Sequence, residues 1–124
     1  ERPLVPGRQS MSSTHGASGA QHNPFLALRR PTTDEAHGEA YAFSLVYSGN
    51  FLAEAEVDQF GTTRVRLGIE PDTFSWHLGP GDAFVTPEAI VVYSATGLQG
   101  LSDALHGLFR DRLARGAWRD RRAA

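Results

Sequence analysis

Three successive stretches of period-two alternation, at residues 40–48, 51–58 and 65–69, constrain the fold of this chain more than any other feature. In the first, Tyr41, Phe43, Leu45 and Tyr47 fall on one side and Ala42, Ser44, Val46 and Ser48 on the other, the spacing of an extended strand with an aromatic face. In the second, Ala53, Ala55 and Val57 alternate with Glu54, Glu56 and Asp58. In the third, Val65, Leu67 and Ile69 alternate with Arg64 and Arg66. Ser48-Gly49-Asn50 supplies turn chemistry between the first two. The apolar sets of the second and third strands are both odd-numbered, so opposed residues in a hairpin must sum to an even number. A two-residue turn fails this condition. A three-residue loop of Gln59, Phe60 and Gly61 meets it, with the glycine where a left-handed backbone is wanted. That register sets Glu54 opposite Arg66 and Glu56 opposite Arg64, and the charged rows are expected to face solvent. Exposed pairs of this kind contribute only about 0.2–1 kcal/mol each, so they specify register more than stability.

The remaining chain fits the same class. Residues 9–21 are mostly Ser, Gly, Ala, Thr and Gln and read as a long flexible loop, with Leu4-Val5 ending a strand before it. Residues 25–28 form a short apolar run suited to a buried strand, and residues 30–39 are polar again. Phe74, Trp76 and Leu78 alternate with Ser75 and His77, predicting a further strand. Residues 79–82 turn the chain, Phe84 and residues 89–93 supply more strand, and Pro87 belongs at an edge or bend. From Leu98 the period becomes helical, with Leu98, Leu101, Leu105, Leu108, Phe109 and Leu113 along one stripe. Ser94 or Thr96 is placed to cap this helix, Arg110, Arg112 and Arg115 lie near its C-terminal end, and Gly116 is placed as a stop. The expected fold is mainly β: an antiparallel β-sandwich of six or seven short strands with one C-terminal amphipathic α-helix. At 124 residues, 40% of them hydrophobic, the chain has the size of one domain with a feasible core.

Several function classes are disfavoured. With no cysteine, the chain has neither disulfides nor thiolate metal sites. Its longest apolar run, residues 89–92, is far short of the roughly 20 residues that span a bilayer. Net charge is −2, and the arginines between Arg110 and Arg122 are interleaved with Asp111 and Asp120, so no nucleic-acid partner is expected. The start at Glu1-Arg2-Pro3 has no initiator Met and no apolar segment of a signal peptide behind it; it is read as a truncation, and a cytoplasmic location is expected. Five histidines, His15, His22, His37, His77 and His106, are scattered without i+3 or i+4 pairing, so neither a metal nor a cofactor is expected. The pair His22-Asn23, just ahead of a strand, is the best placed of these to serve a site. The row Glu54, Glu56, Asp58 offers carboxylates of the kind glycosidases use, but arginine partners would keep them ionised rather than poised as acids. Tyr41, Phe43, Tyr47, Phe74 and Trp76 are candidates for stacking sugar rings, with core packing the default. Chemistry alone therefore leaves a β-rich domain with no visible catalytic apparatus.

Longer strings carry more. QHNPFLAL (residues 21–28), YAFSLVYSGNFLAEAEVDQFG (residues 41–61), FSWHLGPGDAFVTPEAIVVYS (residues 74–94) and LARGAWRD (residues 113–120) closely resemble bacterial α-galactosidases of glycoside hydrolase family 36. The resemblance implies the later part of an N-terminal galactose-mutarotase-like β-supersandwich over residues 1–95. It further implies a linker helix over residues 96–124, leading to a catalytic (β/α)8 barrel that this chain lacks. The family's catalytic aspartates lie in that barrel, so no catalytic residue is carried over. Also implied are packing against the barrel, a homo-oligomer, galactosides as the parent enzyme's ligands, a barrel or oligomer interface built on Leu105, Phe109, Leu113 and Trp118, and a loop near the site at His22 and Asn23. Departures are Glu70-Pro71-Asp72-Thr73 in place of the usual Asn-Pro-Phe-Asp, Ala40 and Ala42 in place of Val and Gly, and a divergent loop at residues 11–20. Other readings are a free-standing carbohydrate-binding sandwich, in which sugar affinity survives in the isolated chain, and a domain of a raffinose-synthase-like transglycosidase.

Overall fold

A computed structural model describes residues 1–19 and 21–116. Among these, six strands precede a helix: β1 (Gly7–Ser13), β2 (Phe25–Arg29), β3 (Ala40–Leu45), β4 (Phe51–Val57), β5 (Thr63–Ile69), β6 (Ala89–Ser94) and α1 (Gly97–Leu108), with a 3₁₀ turn at Pro71–Thr73. The strands form two three-stranded sheets, ordered β1-β4-β5 and β2-β3-β6. The chain divides into two compact units, residues 1–26 with 43–90, and residues 27–42 with 91–124. The mainly β class with one helix is therefore as expected from the sequence.

In the first unit β4 is the central strand, antiparallel to both neighbours. The β4–β5 register pairs Glu54 with Arg66 and Glu56 with Arg64, as parity requires. The loop closes with Asp58 N donating to Thr62 O at 3.0 Å, and Gly61 has φ +79°. The odd-numbered face carries the core: Leu45, Phe51 and Ala53 are buried, with Met11, Tyr47 and Leu67 packed against them. Three expectations fail here. Residues 7–13 are an edge strand, β1, and not the start of a flexible loop, pairing Gln9 with Ala55 and Met11 with Ala53, while Leu4 and Val5 lie exposed outside any strand. A polar segment with one apolar residue carries little strand signal of its own, and the open side of β4 supplies what it lacks. The acidic row is not uniformly solvated either: Glu54 is only 4% exposed. As a residue of the central strand it is covered from both sides by arginine stems, of Arg8 on β1 and Arg66 on β5.

The second unit is built on small side chains. Ala40 and Ala42 of β3 are fully buried beneath Leu101 of α1, with Val92, Leu98 and Leu105 around them. So the alanine side of β3 is the one that meets the helix, while Tyr41 on the other side is half-buried and rests on Tyr93, ring centroids 5.1 Å apart. The small side chains of Ala40 and Ala42 are thus the ones that let the helix approach. The helix start is satisfied by backbone: Gly97, Leu98 and Gln99 N–H donate to the carbonyls of Gly38, Asp34 and Glu35 at 2.8–3.0 Å. Thr96 stands at the N-cap without a side-chain bond to the helix backbone, whereas Ser94 Oγ accepts from Thr96 N and donates to Gly97 O. Gly97 has φ +73°, and a Cβ there would fall 2.5 Å from Asp34 O. At its far end the stripe does not continue as α-helix: Phe109–Leu113 form a π-helical turn, closed by Ala114 N donating to Phe109 O at 2.7 Å.

The second sheet departs in length. β3 ends at Leu45, short of Ser48. Hydrogen bonds from Arg30 N to Glu39 O and from Leu45 N to Pro24 O mark the ends of its pairing with β2. β2 shows alternate half-burial and not full burial. The expected strand at residues 74–78 and the expected strand at Phe84 belong to no ladder among the described residues. Pro87 sits in the irregular stretch that precedes β6.

Candidate functional site

The loop carrying His22 is tied down more than its composition suggests. Asn50, in the β3–β4 turn, accepts from Gly16 N through Oδ1 at 2.7 Å and donates through Nδ2 to Thr73 Oγ1 at 3.2 Å. Ser18 N and Oγ both donate to Ser48 O. The resulting open depression, of about 240 Å³, is lined by Ser13, His15, Ala17, Gly19, Gln21 and His22. His22 and Asn23 are both exposed, and Asn23 O accepts from Phe25 N at 2.7 Å to start β2. Sequence reasoning did not single out Asn50 as an anchor. Its only signal was a turn-type residue, and its partners lie more than 20 residues away in both directions.

The carboxylates are committed to structure. Glu54 Oε2 meets Arg8 Nε at 3.3 Å and its Oε1 meets Arg66 Nη1 at 3.2 Å, while Arg66 Nη2 also reaches Glu56 Oε2 at 3.3 Å. Both oxygens of the buried acid are thus spent on guanidinium groups, and neither is left open to a substrate. Glu70 is buried and serves as the cap of the 3₁₀ turn: its Oε2 accepts from Asp72 N, Thr73 N and Thr73 Oγ1. Asp34 Oδ1 accepts from Ala36 N and His37 N, which hold its carboxyl below the usual value of 3.8. Burial, and next Glu39 beside it, push the Tyr93 phenol up.

What the chain offers instead is apolar surface. Along the helix stripe, Leu101 is buried and Leu105 packs beside it, but Phe109 and Leu113, in the π turn, remain 48% and 46% exposed. Trp118 lies outside the described residues. A second apolar surface was assigned to the core by its alternation and is found in solvent. Phe74, Trp76 and Leu78 are exposed, Trp76 to 61%. Phe84 sits between the two aromatic side chains, its ring centroid 5.5 Å from that of Phe74 and 5.1 Å from that of Trp76.

The comparisons with known proteins assign the chain to a family of N-terminal domains. The model of the glycosyl hydrolase family 36 N-terminal domain matches residues 1–79. Alpha-galactosidase AgaA of Geobacillus stearothermophilus is 59% identical over 120 residues, 97% of this chain and 16% of that protein. Alpha-galactosidase 2 of Hypocrea jecorina is 49% identical over 107 residues, 86% of this chain and 14% of its own length. The crystal structure of AgaA superposes with a TM-score of 0.94, over 98% of this chain and 17% of that one. The chain thus spans about one-sixth of the relatives it matches. It belongs to the N-terminal domain family of glycosyl hydrolase family 36.

Proposed function

We propose that this chain is the non-catalytic N-terminal portion of an α-galactosidase, the parent enzyme releasing terminal α-galactosyl residues from raffinose- and stachyose-type sugars. The observation that carries the reading is 59% identity across nearly the whole chain to an enzyme that is about six times longer. The AgaA structures include complexes with stachyose and raffinose, and those sugars give the substrate class. In the parent, residues 1–95 serve as part of the sandwich and residues 96–124 as the connection to the barrel. Phe109 and Leu113, with Leu105 behind them and Trp118 beyond, supply the contact to the barrel or to another subunit, and the anchored loop at His22 and Asn23 borders the active-site mouth. Retaining hydrolysis by two carboxylates belongs to the barrel, since Glu54, Glu56 and Glu70 of this chain are tied in ion pairs and a cap. The test is galactose release from raffinose by the parent polypeptide, carrying the chain as its N-terminal part. Release is expected, and a parent that binds raffinose without cleaving it would overturn the enzymatic reading.

A further inference from the structure

Residues 74–78 have the composition of a buried strand and the surroundings of an exposed one. Phe74 is extended, with φ −126° and ψ 129°, and Phe74, Trp76 and Leu78 alternate with Ser75 and His77. Yet the backbone N–H groups from Ser75 to Leu78 bond to no described residue. The alternate side chains are 37%, 61% and 52% exposed. The segment is nonetheless ordered: Phe84 lies against both aromatic side chains, and residues 79–82 turn back with Asp82 N donating to Gly79 O at 3.1 Å and Gly79 N to Asp82 Oδ2 at 3.1 Å.

Protein edges that stay exposed are guarded by charge, proline or bulges. β1 carries Arg8, and β5 carries Arg64 and Arg66. Residues 74–78 carry no Asp, Glu, Lys, Arg or Pro. An unguarded apolar strand of this kind is built to be covered on its edge as well as on its face. A sugar ring would cover one indole, whereas the unpaired unit is a row of alternate side chains together with their backbone, which another strand matches. The family's domain model extends to residue 79, so the segment lies within the domain. The relatives also carry about five times as much further chain to supply a partner.

We propose that residues 74–78 form a β-strand whose ladder partner is an extended apolar segment of the parent polypeptide outside these 124 residues. The inference rests on the accessory-domain reading and deepens it by naming the strand through which that domain is completed. Amide hydrogen exchange tests it, followed at residues 74–78 in the chain alone and in the parent polypeptide, with galactose release from raffinose measured on the same parent preparation. Free exchange is expected in the chain alone, slowed by roughly 100-fold or more in the parent. Equal exchange in the two samples with an active parent would overturn the strand proposal and spare the functional one; a parent without hydrolase activity would overturn the functional reading. Protection appearing in the isolated chain as its concentration rises would name a second copy as the occupant and also overturn the proposal. The substitution Trp76→Arg is the companion: it removes the contact with Phe84 in both samples and should lower the melting temperature of the parent by more than that of the chain alone. A loss of equal size in both, or in neither, would contradict it.

Discussion

Removing the Glu54 carboxylate would leave Arg8 and Arg66 facing each other across the central strand with nothing between them. The acid is buried and the two arginines are half-exposed, so the expected cost of Glu54→Ala is about 1–3 kcal/mol, below that of a fully interior pair. Glu56→Ala, on the more open end of the same row, should cost less than about 1 kcal/mol. Urea unfolding of both variants checks the contrast, and equal losses would contradict the assignment of Glu54 as the buried anchor. Asp34 gives a pH signature. Its folded carboxyl is held below the unfolded value by the Ala36 and His37 amides, so the folded chain binds that proton more weakly than the unfolded one. The stability it contributes is present above the ordinary value of 3.8 and is lost as pH falls through the lower folded value. Asp34→Asn should therefore lower the melting temperature at neutral and alkaline pH and approach the unsubstituted chain as pH falls below 3.8, as read by melting temperature against pH.

At the scale of elements, small residues decide how α1 meets β3. Leu101→Ala should cost about 2–5 kcal/mol, as for a buried leucine whose site closes imperfectly. Enlarging its neighbour, as in Ala42→Leu, should cost about 1–3 kcal/mol through overpacking. Leu113→Ala, on the exposed π turn, should stay within about 0.5 kcal/mol in the isolated chain. Thermal or urea unfolding of the three variants orders them. The hairpin of β4 and β5 and the helix were legible in the sequence because their signals are local: parity and a glycine in one case, a stripe in the other. β1 was not legible, because seven residues with one methionine become a strand only when the open side of Ala53 and Ala55 is available. The burial of Ala40 and Ala42 was hidden as well, since alternation names two faces but only the helix, arriving from 50 residues later, selects between them. Residues 74–78 fail in the opposite sense: the strand pattern is present and its partner is not.

For the molecule as a whole, the exposed apolar end of the helix, Phe109 and Leu113, is the surface left for association between copies. Surfaces of that kind drive association. Light scattering at about 100 μM should show dimers or larger species, and a monodisperse monomer at that concentration would mean the surfaces are too small or too polar to need a partner. The candidate site was legible only in part. His22 was marked by its place before a strand, while Asn50, which anchors the loop at Gly16, emerges only from contacts distant in sequence. The central claim is that this is an accessory domain whose acids are structural, and turnover of an aryl α-galactoside by the isolated chain tests it most directly. The expected rate is that of the buffer alone; turnover above it that disappears in Glu54→Gln or Glu56→Gln would contradict the account.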